Sequence, residues 1–464
     1  MSEKKSRVFL GHCESYDDPA QIAAVIARGV AAVGAAPPAG RVVIKPNVVF
    51  AHPVHAQHCY TRPEFLEALL SVIYGNGAQA AAGPATQHPP VSGVSIVERS
   101  GTGCPTSVCF RRAGYGRLTR HFPVRLIALE ESRKKQVHLT RSRLHDHLTL
   151  GKAVVDSDYL VFAPKLKSNV LAQGMTAALK LNIGSLDDPE RMWHHDHHLD
   201  EKIVDILEAV YPRLIVTDAI EIAVGGNQMT EAGKPLGLIM VADNPLAHDL
   251  VTARVLNLDP AGIGHLQEAV RRGYSPASLE DVEVVGDFPL EEAQARTCGY
   301  DLGYRRVDRF ESPFRIVCGE PYCTGGCHGV FLDWLYMVKD RQPHKIARFP
   351  HLTVVIGRTD ETVEGESVLL IGKCAAQTKV KGARRVVRLG PAKCPPTHRD
   401  FILWMALNYL IFAPIFRPET VIDAYVTYPF KRLLGRLAGV ERLPDRAAGS
   451  SASRPPRRPG VPGH

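Results

Sequence analysis

Short apolar runs alternate along this chain with longer stretches whose apolar residues recur every three or four positions. That alternation predicts a parallel sheet with helices on its faces. Strands are expected over 42–44, 78–82, 124–128, 159–163, 214–217 and 238–241. Between them, a helix is expected over 63–74, with Thr61 in its cap region and Gly75 at its stop. A second is expected over 199–211, where Ile203, Ile206, Leu207 and Val210 share one face. Further strand-like runs follow at 314–317, 330–338, 352–356, 368–371 and 385–389. The expected class is α/β: a mostly parallel sheet flanked by helices over 1–312, then a second, smaller α/β module bearing cysteines over 313–400.

The segment 401–416 is mostly apolar, but it is shorter than the roughly 20 residues a membrane span needs and is interrupted by Asn408 and Pro414. Lys431, Arg432 and Arg436 follow it. A buried or interdomain helix is the first reading of 401–440. A peripheral membrane contact through its basic and aromatic flanks is the alternative. From 441 onward the chain is rich in Ser, Pro and Arg, and a disordered tail is expected.

Composition narrows the setting. At 464 residues and 45% hydrophobic content the chain is long enough for two or three cored domains. Of the net charge of +8, residues 441–464 supply three, as five arginines against one Glu and one Asp. The balance resembles no nucleic-acid module, so no nucleic-acid partner is expected. Ten cysteines occur without an apolar leader, since Met1-Ser-Glu-Lys-Lys-Ser-Arg runs straight into Val8-Phe9-Leu10. A reducing cytoplasm is therefore expected rather than a disulfide framework.

Four of the cysteines sit in Gly- or Pro-marked turns after strand-like runs: Cys323 and Cys327 flanking Thr-Gly-Gly, Cys374 after Ile-Gly-Lys, and Cys394 before Pro-Pro. Turns at the ends of parallel strands bring such side chains together. An iron–sulfur cluster, of the 4Fe-4S type, is the expected cofactor, with a Cys-Pro pair suited to its last ligand. A closed zinc site is the alternative, and buried free thiols are the plain reading. Cys318 is a candidate fifth participant. Cys13, Cys59, Cys104, Cys109 and Cys298 are scattered and read as structural.

Ligands of open parallel sheets bind outside the carboxyl ends of the strands. The residues that follow the predicted strands are polar: Lys45 and Asn47, then Lys165, Lys167 and Asn169, then Asp218, with Lys180 and Asn182 soon after Ala177. Four lysines at one edge repel one another unless an anion lies among them, which suits a small carboxylate or phosphate substrate. Burial would also lower a lysine pKa and make it a base. Lys45, Lys165, Lys167, Lys180 and Asp218 are thus candidate catalytic groups, and Asn47, Asn169 and Asn182 candidate substrate-binding groups. For Asp218 the ordinary alternative is a helix cap.

These motifs carry a resemblance. Ile44-Lys45-Pro46-Asn47, Thr61-Arg62-Pro63, Pro164-Lys165-Leu166-Lys167, Ala178-Leu179-Lys180-Leu181-Asn182-Ile183-Gly184, Thr217-Asp218-Ala219-Ile220 and Asp243-Asn244-Pro245-Leu246-Ala247-His248-Asp249 resemble, in order, those of the domain of unknown function family 362 over about 40–285. The resemblance implies an iron–sulfur association, usually through a ferredoxin-like run of closely spaced cysteines. This chain has no such run, so the expectation of a cluster rests on its separate C-terminal cysteines rather than on the resemblance. The sheet is also similar, as a fold analogy, to that of the nickel-dependent lactate racemase family.

The run Trp193-His194-His195-Asp196-His197-His198 adds titratable groups near neutral pH. On a helix, His194 and His198 would share a face and could grip a metal; one histidine of the run is the candidate proton-transfer group, His194 foremost, with His195, His197 and His198 left open. The expected function is an iron–sulfur-binding redox enzyme acting on a small anionic substrate, with a redox partner protein. The alternatives are a non-catalytic iron–sulfur or zinc electron-transfer protein, and a racemase- or isomerase-like enzyme whose metal is structural.

Overall fold

The computed structural model of the chain describes residues 5–55, 57–75, 90–172, 174–227, 232–412 and 417–443. Eight strands run along the main sheet: β1 (Ser6–His12), β2 (Gly40–Pro46), β3 (Val91–Glu98), β4 (Val124–Ala128), β5 (Tyr159–Ala163), β6 (Leu214–Val224), β7 (Ala232–Ala242) and β8 (Val282–Gly286). Their order is β8-β1-β7-β6-β5-β2-β3-β4. Every neighbouring pair is parallel except those made by β7, which runs antiparallel to both β1 and β6. The α/β class therefore holds, with one reversed strand. That strand follows β6 through a short connection, which allows only an antiparallel return.

Central strands covered on both faces must be apolar throughout. In β5 all of Tyr159-Leu-Val-Phe-Ala163 is buried. One face packs Leu160, Phe162, Ile203, Leu207 and Ile215 together; the other packs Ile44, Phe65, Leu69, Ile96 and Val161. The expected strand at 78–82 lies outside the described residues, and the strand beside β2 is β3.

A second, wholly parallel sheet follows: β9 (Phe314–Cys318), β10 (Leu352–Ile356), β11 (Ser367–Ile371) and β12 (Arg385–Leu389), paired in that order. The expected strand at 330–338 is instead the middle of a helix, Cys327–Arg341. Its residues 327–338 are all buried, so the run is apolar on every side and shows no helical period. A parallel β9–β10 pair requires such a crossover helix.

Local chemistry explains several ends. Asn244 caps the helix Pro245–Val255 by accepting from the Leu246 and Ala247 amides at 2.9 and 3.1 Å. Thr61 does not cap the helix Pro63–Ile73, whose cap residue is Arg62. Its hydroxyl donates to the Ala163 carbonyl at 2.7 Å and accepts from the Asn47 amide at 3.0 Å, tying β2 to β5 at their carboxyl ends. Asp249 accepts from the Ala178 and Leu179 amides and meets His248, whose other ring nitrogen lies 2.7 Å from the Thr217 hydroxyl. All three side chains are buried, so they lock one helix to β6 and to the turn of Lys180.

The first three residues of the expected tail, 441–443, are among the described ones. Val440–Glu441 pairs with the strand Lys134–His138, and Glu441 meets Lys152 at 2.8 Å. Residues 444–464 lie outside the described part.

One buried network gives a pH test. Burial alone would raise the Asp205 carboxyl, but His145, the Arg143 and Leu144 amides and Arg272 donate to it and hold it down at about 2. A folded pKa below the ordinary 3.8 adds stability that is present above pH 3.8 and lost as pH falls through about 2. Asp205→Asn should therefore lower unfolding free energy at neutral pH by about 2 kcal/mol. In urea titrations the deficit should shrink below pH 3.8; a deficit that stays constant would show that the carboxylate's charge is not what stabilises.

Candidate functional site

The four cysteines come from three carboxyl-terminal turns of the second sheet. Cys323 and Cys327 follow β9, Cys374 follows β11 and Cys394 follows β12. Burial is the main cause that raises the thiols of Cys323 and Cys394 to about 12. Asp196 is the next cause for both, and then the other cysteines; Cys327 is raised by burial and by Cys394, Cys323 and Cys374. The thiols thus stand within electrostatic reach of one another. Cys327 is the first residue of its 15-residue helix, so the positive end of the helix faces the thiols.

The turns are held by backbone contacts. The Lys373 amide donates to the Lys393 carbonyl at 3.0 Å, joining the Cys374 and Cys394 turns. The Cys323 amide donates to His328 Nδ1 at 3.1 Å. Gly372 has φ +80°, and a Cβ there would lie 2.6 Å from Cys327 Sγ, so only glycine fits. Cys318 stands apart, facing Asp308 and Arg306.

The site has a second wall. Cys394 Sγ lies 3.6 Å from Asp196 Oδ2, and Cys323 Sγ lies 3.9 Å from His197 Nδ1. His195 Nδ1 meets the Gly325 carbonyl at 2.6 Å, and a Cβ on Gly326 would lie 3.2 Å from the Asp196 Cα. Burial, then Lys202 and Lys180, lower His195 to about 3, so its ring is neutral and donates to that carbonyl. The histidine run is a turn rather than a helix: His194 has φ 54°, and the helix begins at Leu199. His194 therefore does not share a helical face with His198. It stacks on Trp193 at 5.0 Å, while Asp196, His197 and His198 draw their donor atoms within 4.8 Å of one another.

The donor set fits a soft metal or cluster held by thiolates. Among the described residues no three of the four sulfurs lie within 4.8 Å of one another. A tetrahedral zinc with bonds of about 2.3 Å would draw them to about 3.8 Å.

The lysines do not form one anion hole. Lys45 and Glu98 make a buried pair at 2.7 Å, and the other charge acting on Lys45 is Arg191. Lys165 pairs with Asp218 at 3.0 Å, and Tyr16 donates to Asp218 at 2.6 Å while accepting from Lys165 at 2.6 Å. Burial lowers both lysines, and their carboxylate partners oppose it. Lys167 donates to the Cys59 carbonyl at 3.1 Å. Asp218 lies inside β6 and caps nothing with its position; it also accepts from the Arg62 amide at 3.0 Å. The expected repulsion is thus relieved within the chain by separate carboxylates and carbonyls.

Lys45 has a polar surround. A Cβ on Gly184 would lie 2.6 Å from Lys45 Nζ and would also strike Glu98. The side-chain oxygens of Asn47, Asn182 and Ser185 are buried without a hydrogen-bond partner among the described residues. Asn182 Nδ2 donates to the Ile203 carbonyl at 2.9 Å, and Asn169 Oδ1 accepts from the Leu171 amide at 2.8 Å. Lys180, Lys202 and Arg191 act on His195, so this region leads from Lys45 toward Asp196 and the cysteines. Sequence reasoning missed Glu98, Tyr16 and Asp196, whereas His197 was among the four histidines it left open. Glu98 ends β3, and the strand-end rule would have found it had that strand been placed at 91–98. Asp196 had a signal, the histidine run, but the expected helix paired His198 with His194, whereas the turn brings His198 to Asp196 and His197.

Comparison with known proteins agrees with the motif order. A family model described as a domain of unknown function (DUF362) matches residues 42–254, a little under half of the chain. The four cysteines lie beyond that match. A thylakoid-associated protein of Synechocystis sp. is 25% identical over 249 residues, covering 52% of this chain and 71% of that protein. Among solved structures, the lactate racemase apoprotein from Thermoanaerobacterium thermosaccharolyticum aligns with TM-score 0.34 and 13% identity over 53% of this chain and 56% of that one. A Thermotoga maritima protein aligns with TM-score 0.24 and 10% identity over 49% and 56%. This chain spans little more than half of either structure. Over residues 42–254 the chain resembles the domain of unknown function family 362.

Proposed function

We propose that the protein is a redox enzyme that holds an iron–sulfur cluster, of the 4Fe-4S type, on Cys323, Cys327, Cys374 and Cys394 and acts on a small anionic substrate. The observation that carries this reading is the placement of four thiols at three strand ends of the second sheet, one of them opening a 15-residue helix. A bound cluster would supply one-electron transfer.

The substrate side is Lys45, with Glu98, Asn47 and Asn182. Lys45 and Glu98 can hold a proton between Nζ and Oε1, and the unpartnered amide oxygens can accept from a hydroxyl or a carboxylic acid. Lys180 and Arg191 add the positive field that favours an anion. Lys165 and Asp218, with Tyr16 between them, are the other pair able to store a proton. His194 keeps only a supporting place against Trp193. The reading implies a redox partner protein and a cytoplasmic setting. Zinc is the second reading, favoured by the Asp196, His197 and His198 donors beside two of the thiols.

Anaerobic purification should yield iron and acid-labile sulfide with broad visible absorption. Zinc without sulfide would overturn the cluster and support the second reading. Cys374→Ser and Cys394→Ser should each lose most of the iron while the circular dichroism of the large sheet domain is retained; wild-type iron in either would remove the ligand assignment. Gly372→Ala should also lose iron, because the new methyl occupies the space of the Cys327 sulfur and the left-handed backbone adds about 1–2 kcal/mol of strain. Full iron content in that variant would place the metal away from Cys327.

A further inference from the structure

The helical segments Pro418–Ile422, Asp423–Thr427 and Tyr428–Ala438 run on from one another as a rod over 418–438. Along it Ile422, Val426, Phe430, Leu433 and Leu437 recur at intervals of four, four, three and four, the spacing of one helical face. Such a stripe ordinarily marks a face packed on a core. Here all five are exposed, Leu437 to 75% and Val426 to 63%. Leu403, Leu407, Leu410 and Phe412, in and after the helix His398–Tyr409, are exposed as well, and so are Val440 and Leu443. Eleven of the fifteen large hydrophobic side chains that are exposed among the described residues thus fall within 403–443. Clustering on this scale marks a contact surface.

The opposite side of the rod explains its orientation. Gly435 abuts the Glu130 carbonyl, where no side chain would fit. Lys431 meets Glu131 at 2.9 Å, Arg112 meets Asp423 at 2.6 Å, and the Tyr428 ring lies under Arg99 at 5.2 Å. Polar contacts clamp the rod to the large domain, and the apolar stripe is left facing out.

We propose that this face docks the protein on an anionic lipid bilayer, as a surface contact rather than a span. Charge selects the occupant. Arg417, Arg436 and Arg442 are exposed around the stripe, and Arg446, Arg454, Arg457 and Arg458 follow in the sequence. An apolar stripe flanked by arginines matches the boundary between anionic headgroups and acyl chains. A second copy would bring the same cationic face against it and be repelled. No helix among the described residues is long and apolar enough to cross a membrane. Between the two helices a cavity of about 480 Å³, lined by Leu403, Val421 and Tyr425 with Arg399 and Arg432, offers a lipid phosphate and the first part of its chain a place to lodge. The surface requires no metal and is independent of the cysteine site.

The test is flotation of the full chain with vesicles of phosphatidylcholine alone and of phosphatidylcholine mixed with phosphatidylglycerol. Binding to the mixed vesicles is expected, at least tenfold stronger than to phosphatidylcholine alone and weakened by salt. Leu433→Asp/Leu437→Asp should reduce it at least tenfold without changing the melting temperature, because both positions are exposed. Equal binding to both vesicles would overturn the anionic preference. Absence of vesicle binding, or a double variant that floats like wild type, would overturn the docking face. A wild-type dimer that the double variant dissolves, without vesicle binding, would reassign the face to self-association.

Discussion

The turn Cys323-Thr324-Gly325-Gly326-Cys327 packs closely on Leu199 and the Asp196 backbone, where a Cβ at Gly325 would lie 2.6 Å from Leu199 Cδ2 and one at Gly326 3.2 Å from the Asp196 Cα, and much of the molecule's chemistry depends on that contact. It presses the carboxyl edge of the second sheet onto a loop of the first. Without it, the cysteines would border solvent and the histidine run would be an ordinary surface turn. With it, Asp196 and His197 stand beside two of the thiols, and neutral His195 ties the two loops together. Because an anionic carboxylate and several thiols share one place, the arrangement is electrostatically unfavourable as a set of charges and favours either protonated thiols or a bound cation.

The large domain solves the same problem differently. Two of its buried lysines are neutralised by separate carboxylates, Lys45 by Glu98 and Lys165 by Asp218, with Tyr16 satisfying both members of the second pair, while Lys167 and Lys202 donate to carbonyls. Pairs of this kind add little net stability but are costly to break, since the remaining charge is stranded. They hold the strand ends in fixed positions. The unpartnered oxygens of Asn47 and Asn182 sit in motifs flanking Lys45, so the polar capacity there exceeds what the chain itself uses. The C-terminal rod inverts the usual order, with polar groups against the protein and leucines outward, which gives the molecule one face unlike the rest.

Much of this was legible in the amino-acid sequence. Period and run length alone determined the α/β class, most of the parallel strands and the helices Pro63–Ile73 and Leu199–Ala209, though not the longer helix Pro19–Val33, because strands buried on two faces are apolar at every position and half-buried helices are not. The same logic failed at 330–338. A helix buried all round has no polar face, and its run of apolar residues reads like a strand until the crossover between two parallel strands demands a helix. Turn chemistry singled out Cys323, Cys327, Cys374 and Cys394 from ten cysteines, since glycines and proline placed them at strand ends.

What the sequence could not determine was which polar groups meet. Lys45 and Glu98 are 53 positions apart, Lys165 and Tyr16 149, and Cys394 and Asp196 198. No local pattern encodes such pairings. They follow from strand order, above all from β2 lying between β3 and β5 and from the second sheet resting on the turn at 193–198. The sequence by itself thus determined the types of element and the residues at their ends, because those depend on local periodicity and backbone preference. Only the tertiary structure decided that the lysines would be paired within the chain and the four thiols gathered, because charge compensation depends on distances that only packing sets.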